Sequence, residues 1–259
     1  MKKILFLGYN RNKTRLIKFL NNLENYKVEC FQKKLNLKKA SKYDVIISFG
    51  YKYILPIYLI KKLKKKIINL HIGYLPYNRG AHPNFWSFID NTPTGVTIHE
   101  IDKNIDTGKI IYQKIVDFEF YKNYKNLTFK TTYKRLIKEI EDLFIKNHKD
   151  ILNKKYKSYN QINVGTFHNK SDLPKILKSW NQNIFSTVKK YKLENEKFLN
   201  DKLDLISKIE STRKNNNINW MNVVRHSLKL NPKKTLAILK SINQDDKKIS
   251  KYFEKLNEN

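Results

Sequence analysis

Short β-rich runs alternate with amphipathic stretches through the first half of the chain: Lys3–Leu7, Thr14–Leu23, Lys27–Phe31, Asp44–Phe49, Pro56–Leu63 and Ile67–His71. This alternation predicts an α/β domain with a parallel-rich sheet and helices on both faces, Rossmann-like in outline. A short helix is predicted at Pro83–Ile89. Two further β-like runs follow at Gly95–Ile101 and Lys109–Phe118, and a long helical pattern from Leu127 to about Ile151 closes the domain. Residues 152 to about 180 lose the periodicity, carry the breakers Gly165 and Pro174, and read as a linker or crossing segment. Beyond them Leu199, Leu203, Ile206 and Ile209 recur at helical spacing. The pattern resumes after Asn231-Pro232, a favoured helix start, with Leu236, Leu239, Ile242, Ile249, Phe253 and Leu256. The expected organisation is a core domain over 1–151, the crossing segment over 152–180 and a mostly helical C-terminal domain over 181–259. Within the last, Arg213–Met221 is the expected inter-helix connection, anchored by Trp220. Apolar stripes on such helices need a cover, so the helices are expected to pack together or against a second subunit, giving a homodimer through them or shaping the acceptor pocket.

Composition changes this picture little. The 16 Tyr and 14 Phe supply apolar surface for a packed core. A net charge of +30 raises nucleic acid or an anionic surface as partners, but Lys is spread along the whole chain and no aromatic-interleaved basic motif accompanies it. Nucleic acid is therefore not the expected partner. The lone Cys30 allows neither an intrachain disulfide nor a C-x-x-C pair, and the apolar run after Met1 ends at Gly8, so it reads as a first strand and not a signal peptide. No apolar run approaches the roughly 20 residues of a membrane span. A cytoplasmic setting is expected.

Gly8 stands where a dinucleotide fold begins its glycine-rich turn, yet the next glycine is Gly50, so the spacing that admits a pyrophosphate is missing and NAD or FAD is not expected. The informative stretches are Asn69-Leu70-His71, continued by Leu75-Pro76-Tyr77-Asn78-Arg79-Gly80, and Gly95-Val96-Thr97-Ile98-His99, continued to Asp106-Thr107-Gly108. On a strand, Asn69 and His71 project to one face at the C-terminal end, where open α/β sheets hold their sites. Acyl transfer to an amine needs a donor for the oxyanion and a group that takes the amine's proton; Asn69 suits the first role and His71 the second. A carboxylate that raises the basicity of imidazole is supplied best by Asp106. No zinc-like ligand spacing joins His82 to His71 or His99, so no metal is expected.

These motifs resemble the formyltetrahydrofolate-dependent formyltransferase family over about residues 1–150, through Asn-x-His, Leu-Pro-x-x-Arg-Gly and the later Asp-x-Gly. The resemblance implies N10-formyltetrahydrofolate as formyl donor and Asn69, His71 and Asp106 as the catalytic set. It also implies that the folate lies against Phe49, Gly50, Tyr51, Ile54, Leu55, Asp102 and Ile105, and that Tyr74, Pro76, Arg79, Gly80 and His99 face the acceptor. His99 is equally open to a role in filling the sheet face, and Gly73 departs from the serine common in the family. Among acceptors, the loop after the first strand lacks the glycine-rich phosphate grip of glycinamide ribonucleotide transformylases. Gln32–Tyr43 is too short for the insert of methionyl-tRNA formyltransferases, which rank second. Gly95-Val96-Thr97-Ile98-His99 resembles sugar N-formyltransferases, which implies a nucleotide-linked amino sugar as acceptor and a surface polysaccharide as destination. A basic nucleic-acid-binding protein without catalysis is the reading from another class.

Overall fold

A computed structural model describes residues 1–63, 65–118, 127–162 and 164–257, with side chains given to residue 251. The chain divides into two compact units, 1–192 and 193–259. In the first, strands β1 (Lys2–Gly8), β2 (Tyr26–Phe31), β3 (Val45–Phe49), β4 (Ile67–His71), β6 (Gly95–Glu100) and β7 (Ile110–Ile115) form one sheet in the order β2-β1-β3-β4-β6-β7. The first four are parallel, β6 pairs antiparallel with β4, and β7 pairs antiparallel with β6. All five residues of β3 are buried. Such continuous burial, apolar at every position but Ser48, is what a central parallel strand covered on both faces requires. The helices are α1 (Leu16–Asn21), α2 (Leu37–Ala40), α3 (Ile57–Lys62), α4 (Pro83–Ile89) and α5 (Phe129–Asn153). α5 begins at a Thr128–Thr131 capping box and buries Leu136, Ile140, Phe144 and Ile151 beside Ile4, Phe6 and Val96 of the sheet. The other face packs Leu5, Leu7 and Ile46 with Leu59 of α3.

Gly8 has a job other than nucleotide binding. Its φ is +105°, and a Cβ there would lie 2.2 Å from the Phe49 carbonyl oxygen, so only glycine lets the ends of β1 and β3 approach. The segment expected as a linker or crossing segment belongs to the first unit. It contributes β8 (Phe167–His168), paired in parallel with β5 (Arg79–Gly80), and a 3-10 turn at Lys170–Asp172. This unit runs past residue 181 because Ile184, Val188 and Tyr191 pack with Phe85, Trp86 and Phe129.

The second unit comprises the later part of α6 (Ile184–Leu230) and α7 (Pro232–Asn257). The helices join at Asn231, whose side chain accepts from the Lys234 amide. Arg213–Met221 is therefore not a connection. It is continuous helix, with Trp220 55% exposed, since nothing in that stretch breaks helical hydrogen bonding as Pro232 does. Val224 and Thr235 are buried, while Leu199, Leu203, Ile206 and Ile209 remain about half exposed. Phe253 and Leu256 of the expected stripe lie outside the described side chains. No described helix is long and apolar enough to cross a membrane.

Candidate active site

The end of β4 and the loops beyond it gather the expected catalytic residues. Asn69 and His71 leave the strand two residues apart, and β6 runs antiparallel beside it so that Asn69 faces His99. After β6 the chain turns through Asp106, whose φ is +53°, into Gly108. A Cβ at 108 would lie 1.7 Å from the Glu100 carbonyl oxygen. Glycine is thus required at the end of this turn, and the left-handed Asp106 stores strain of about 1 kcal/mol or more, as functional turns commonly do. Thr97 fixes the opposing loop: its hydroxyl donates to the Gly73 carbonyl at 2.7 Å and accepts from the Leu75 amide at 3.1 Å.

Around Asp106 the polar groups converge. Oδ1 accepts from Asn69 Nδ2 at 3.3 Å and Oδ2 from the Gly80 amide at 3.0 Å. His71 Nδ1 stands 3.6 Å from Oδ2, and His99 Nε2 3.4 Å from Oδ1. Burial works against ionisation of this carboxyl, but its proximity to His71 and His99 and the hydrogen bond from the Gly80 amide outweigh it and hold Asp106 well below the usual carboxylate range. His71 is 7% exposed. Burial lowers its affinity for a proton; Asp106 opposes that shift and His99 adds to it, so the imidazole is neutral at neutral pH.

The hydrogen bonds also fix the tautomers. His71 Nε2 lies 3.2 Å from the Asn78 carbonyl oxygen, which can only accept, so Nε2 carries the hydrogen and Nδ1 is the basic atom, turned toward Asp106. His99 Nδ1 donates to the Glu100 carbonyl at 2.8 Å, leaving Nε2 to accept from Asn69 Nδ2 at 3.1 Å. Both amide hydrogens of Asn69 are thus engaged, one on His99 and one on Asp106. Gly73 makes the His71 placement feasible, because a Cβ there would sit 2.6 Å from Nε2.

Asn78, not singled out from sequence, holds His71 in turn. It is fully buried, with φ +57°. Its amide donates to Thr166 Oγ1 at 2.8 Å and its Nδ2 to Thr92 Oγ1 at 2.7 Å. Gln161 is equally hidden from motif reading: its Nε2 donates to the carbonyls of Asp106 at 2.8 Å and Gly108 at 2.9 Å. Residues 158–162 and 164–170 therefore act as a strap over the turn. The only sequence trace of this is Gly165, where a Cβ would lie 1.8 Å from the Pro76 carbonyl oxygen.

A cavity of about 590 Å3 opens above this cluster, lined by Asn69, His71, His99 and Asp106 and by Phe49, Gly50, Tyr51, Ile54, Leu55, Asp102 and Ile105. Gly80 also lines it, as do Phe167 and His168 of the strap. Tyr74, Pro76 and Arg79 do not. Tyr74 packs against Gly95, Pro76 is buried beneath Gly165, and Arg79 keeps a buried Nε with no partner among the described residues. A second cavity, of about 670 Å3, shares Tyr9, Ile72 and Pro83 with the first and is walled by His82, Asn84, Lys130, Tyr133 and Trp180. Tyr9 forms the partition, its ring against Gly50 and its hydroxyl 2.5 Å from that of Tyr133. Among the described residues, no group of three or more His, Cys, Asp or Glu side chains is placed to hold a metal ion.

Residues 17–147 match the formyl transferase family. The chain belongs to that family. Among solved structures of formyl transferases, it is similar to PseJ from Anoxybacillus kamchatkensis, in complex with UDP-4,6-dideoxy-4-formamido-L-AltNAc and tetrahydrofolate, at 40% identity and a TM-score of 0.65 over 72% of this chain and 97% of that one. The dTDP-4-amino-4,6-dideoxyglucose formyltransferase of Mycobacterium tuberculosis is 32% identical over 137 residues, 53% of this chain and 56% of that protein. The chain thus spans little more than half the length of that curated relative. A methionyl-tRNA formyltransferase of Prochlorococcus marinus is 33% identical over 118 residues, 45% of this chain and 34% of that protein.

Proposed function

We propose that this formyl transferase moves the formyl group of N10-formyltetrahydrofolate to the amino group of a nucleotide-linked amino sugar destined for a surface polysaccharide, in the cytoplasm. The observation that carries the reading is the convergence of Asn69, His71, His99 and Asp106 at the foot of one cavity, which shares a wall with a second. Two adjoining cavities suit a reaction with two substrates. The first, flanked by Leu55, Leu70 and Ile101, suits a flat pterin; the second offers the His82–Trp180 aromatic pair and Lys130 to a nucleotide.

In this reading His71 is the base. Its Nδ1 takes the proton of the attacking amine, the imidazolium so formed is stabilised by Asp106, which stays ionised, and the proton passes to N10 as the carbon–N10 bond of the tetrahedral intermediate breaks and tetrahydrofolate leaves. Asn69 donates to the developing oxyanion once one of its two engaged hydrogens is released from His99 or Asp106. Gly95–His99 and the 40% identity to the Anoxybacillus enzyme over nearly its whole chain support a sugar acceptor over methionyl-tRNA. The test is a screen of UDP-, dTDP-, GDP- and CMP-linked amino sugars beside methionyl-tRNA, each with N10-formyltetrahydrofolate and read by mass. A formylated sugar nucleotide is expected. Formylation of methionyl-tRNA alone would reverse the assignment.

Self-association through the helical unit is part of the same reading. It is supported by the half-exposed Leu199, Leu203, Ile206 and Ile209, since apolar stripes of that length favour a partner surface. A chain ending at Lys192 should be monomeric in solution while the full chain is a dimer. A monomeric full chain would remove this part of the proposal.

A further inference from the structure

The first cavity has an asymmetric lining. Its floor is polar and buried, whereas its mouth carries two isoleucines, Ile54 at 78% and Ile105 at 39% exposure, from the loops after β3 and β6. A lysine stands two residues before each, Lys52 and Lys103, and Lys170 of the strap joins the same lining. All three are exposed, and none has an ion-pair partner among the described residues. The acids of the lining face elsewhere. Asp102 is held within its own loop by the Asn104 amide at 3.1 Å and the Thr107 hydroxyl at 2.7 Å, and Asp106 is committed to the histidine cluster. The mouth therefore presents three lysines outside any described ion pair, from three separate segments, against the single carboxylate of Asp102.

The geometry points to a subsite for the poly-γ-glutamyl tail of the folate, formed by Lys52, Lys103 and Lys170 at the mouth of the donor cavity. The inference rests on the folate reading of that cavity. A pterin on the polar floor puts the aromatic linker of the molecule between Ile54 and Ile105, and the glutamates that follow emerge among the lysines. Each added γ-glutamate contributes one carboxylate, and lysines carried on three separate segments suit a flexible polyanion better than one compact phosphate. Exposed charge pairs are individually weak, so the tail gains affinity from several acting together, and the gain is screened by salt.

Calorimetric titration of the full chain with 5-formyltetrahydrofolate as monoglutamate and as pentaglutamate tests this without knowledge of the acceptor. The pentaglutamate should bind about tenfold tighter at low ionic strength, the scale of three exposed pairs, with the ratio shrinking as salt rises. In the triple variant Lys52→Gln, Lys103→Gln, Lys170→Gln the ratio should fall toward one. In Lys233→Gln, Lys234→Gln, Lys240→Gln, which removes equal charge from α7, it should persist. Equal affinities in the unmodified chain, or a ratio that survives the first triple variant or collapses in the second, would overturn the subsite. Failure of both compounds to bind would instead refute the folate reading on which it rests.

Discussion

The two segments that build the site work by opposite means. Residues 67–108 carry the reacting groups and spend their glycines on close approaches, at Gly73 under His71 and at Gly108 against Glu100. Residues 158–162 and 164–170 bring no group of the catalytic set and act through hydrogen bonds to backbone: Gln161 onto the Asp106 turn, and Thr166 onto the Asn78 amide. One segment performs chemistry and the other holds its geometry. Substitutions should separate the two, with large losses of turnover from the first and smaller losses coupled to stability from the second.

The largest effect is expected from His71→Ala. Turnover should fall by about 10³ or more, within the scale of a general base and its positioning, while folate affinity stays within a few-fold because the imidazole acts on the amine. Single-turnover kinetics with separate folate titration check this; a variant that keeps its turnover removes His71 from the reaction. Asp106→Asn comes next, at about 10² in turnover, since the imidazolium loses its stabilising charge. Gln161→Ala should cost about tenfold or less, equivalent to one or two net hydrogen bonds to the turn. Thr166→Val leaves the buried Asn78 amide unsatisfied and should destabilise the fold by about 1–3 kcal/mol, read by denaturant unfolding, with a lesser effect on turnover. If the strap variants reduced turnover as much as His71→Ala at unchanged stability, the division between the segments would fail.

That division also governs what the sequence discloses. Strands Ile67–His71 and Gly95–Glu100 and helix Pro83–Ile89 are legible because burial imposes period and composition, and the catalytic set is legible because its residue types stand in a fixed order. The strap is not. Gln161, Thr166 and Asn78 use side chain to backbone bonds that leave no periodicity, and the two-residue pairing of β5 with β8 is too short for any pattern. Tyr74, Pro76 and Arg79 share the motif loop yet do not line the cavity, because that loop turns inward to pack on Gly95 and Gly165. In the helical unit, spacing discloses the helices but not their partner, and the charged, unbroken run from Arg213 to Met221 mimics a connection.

The central claim is that His71 is a buried, neutral base whose proton affinity is lowered by burial and partly restored by Asp106. The most direct measurement is the pH dependence of kcat/KM in the unmodified chain and in Asp106→Asn. A base must be unprotonated to act, so activity should be retained at neutral pH and lost as pH falls through a value below the ordinary histidine figure of about 6.5. Without the carboxylate that favours the imidazolium, the same limb should move to still lower pH in Asp106→Asn, at a lower maximum rate. A limb that stays in place, or moves to higher pH, would contradict the account.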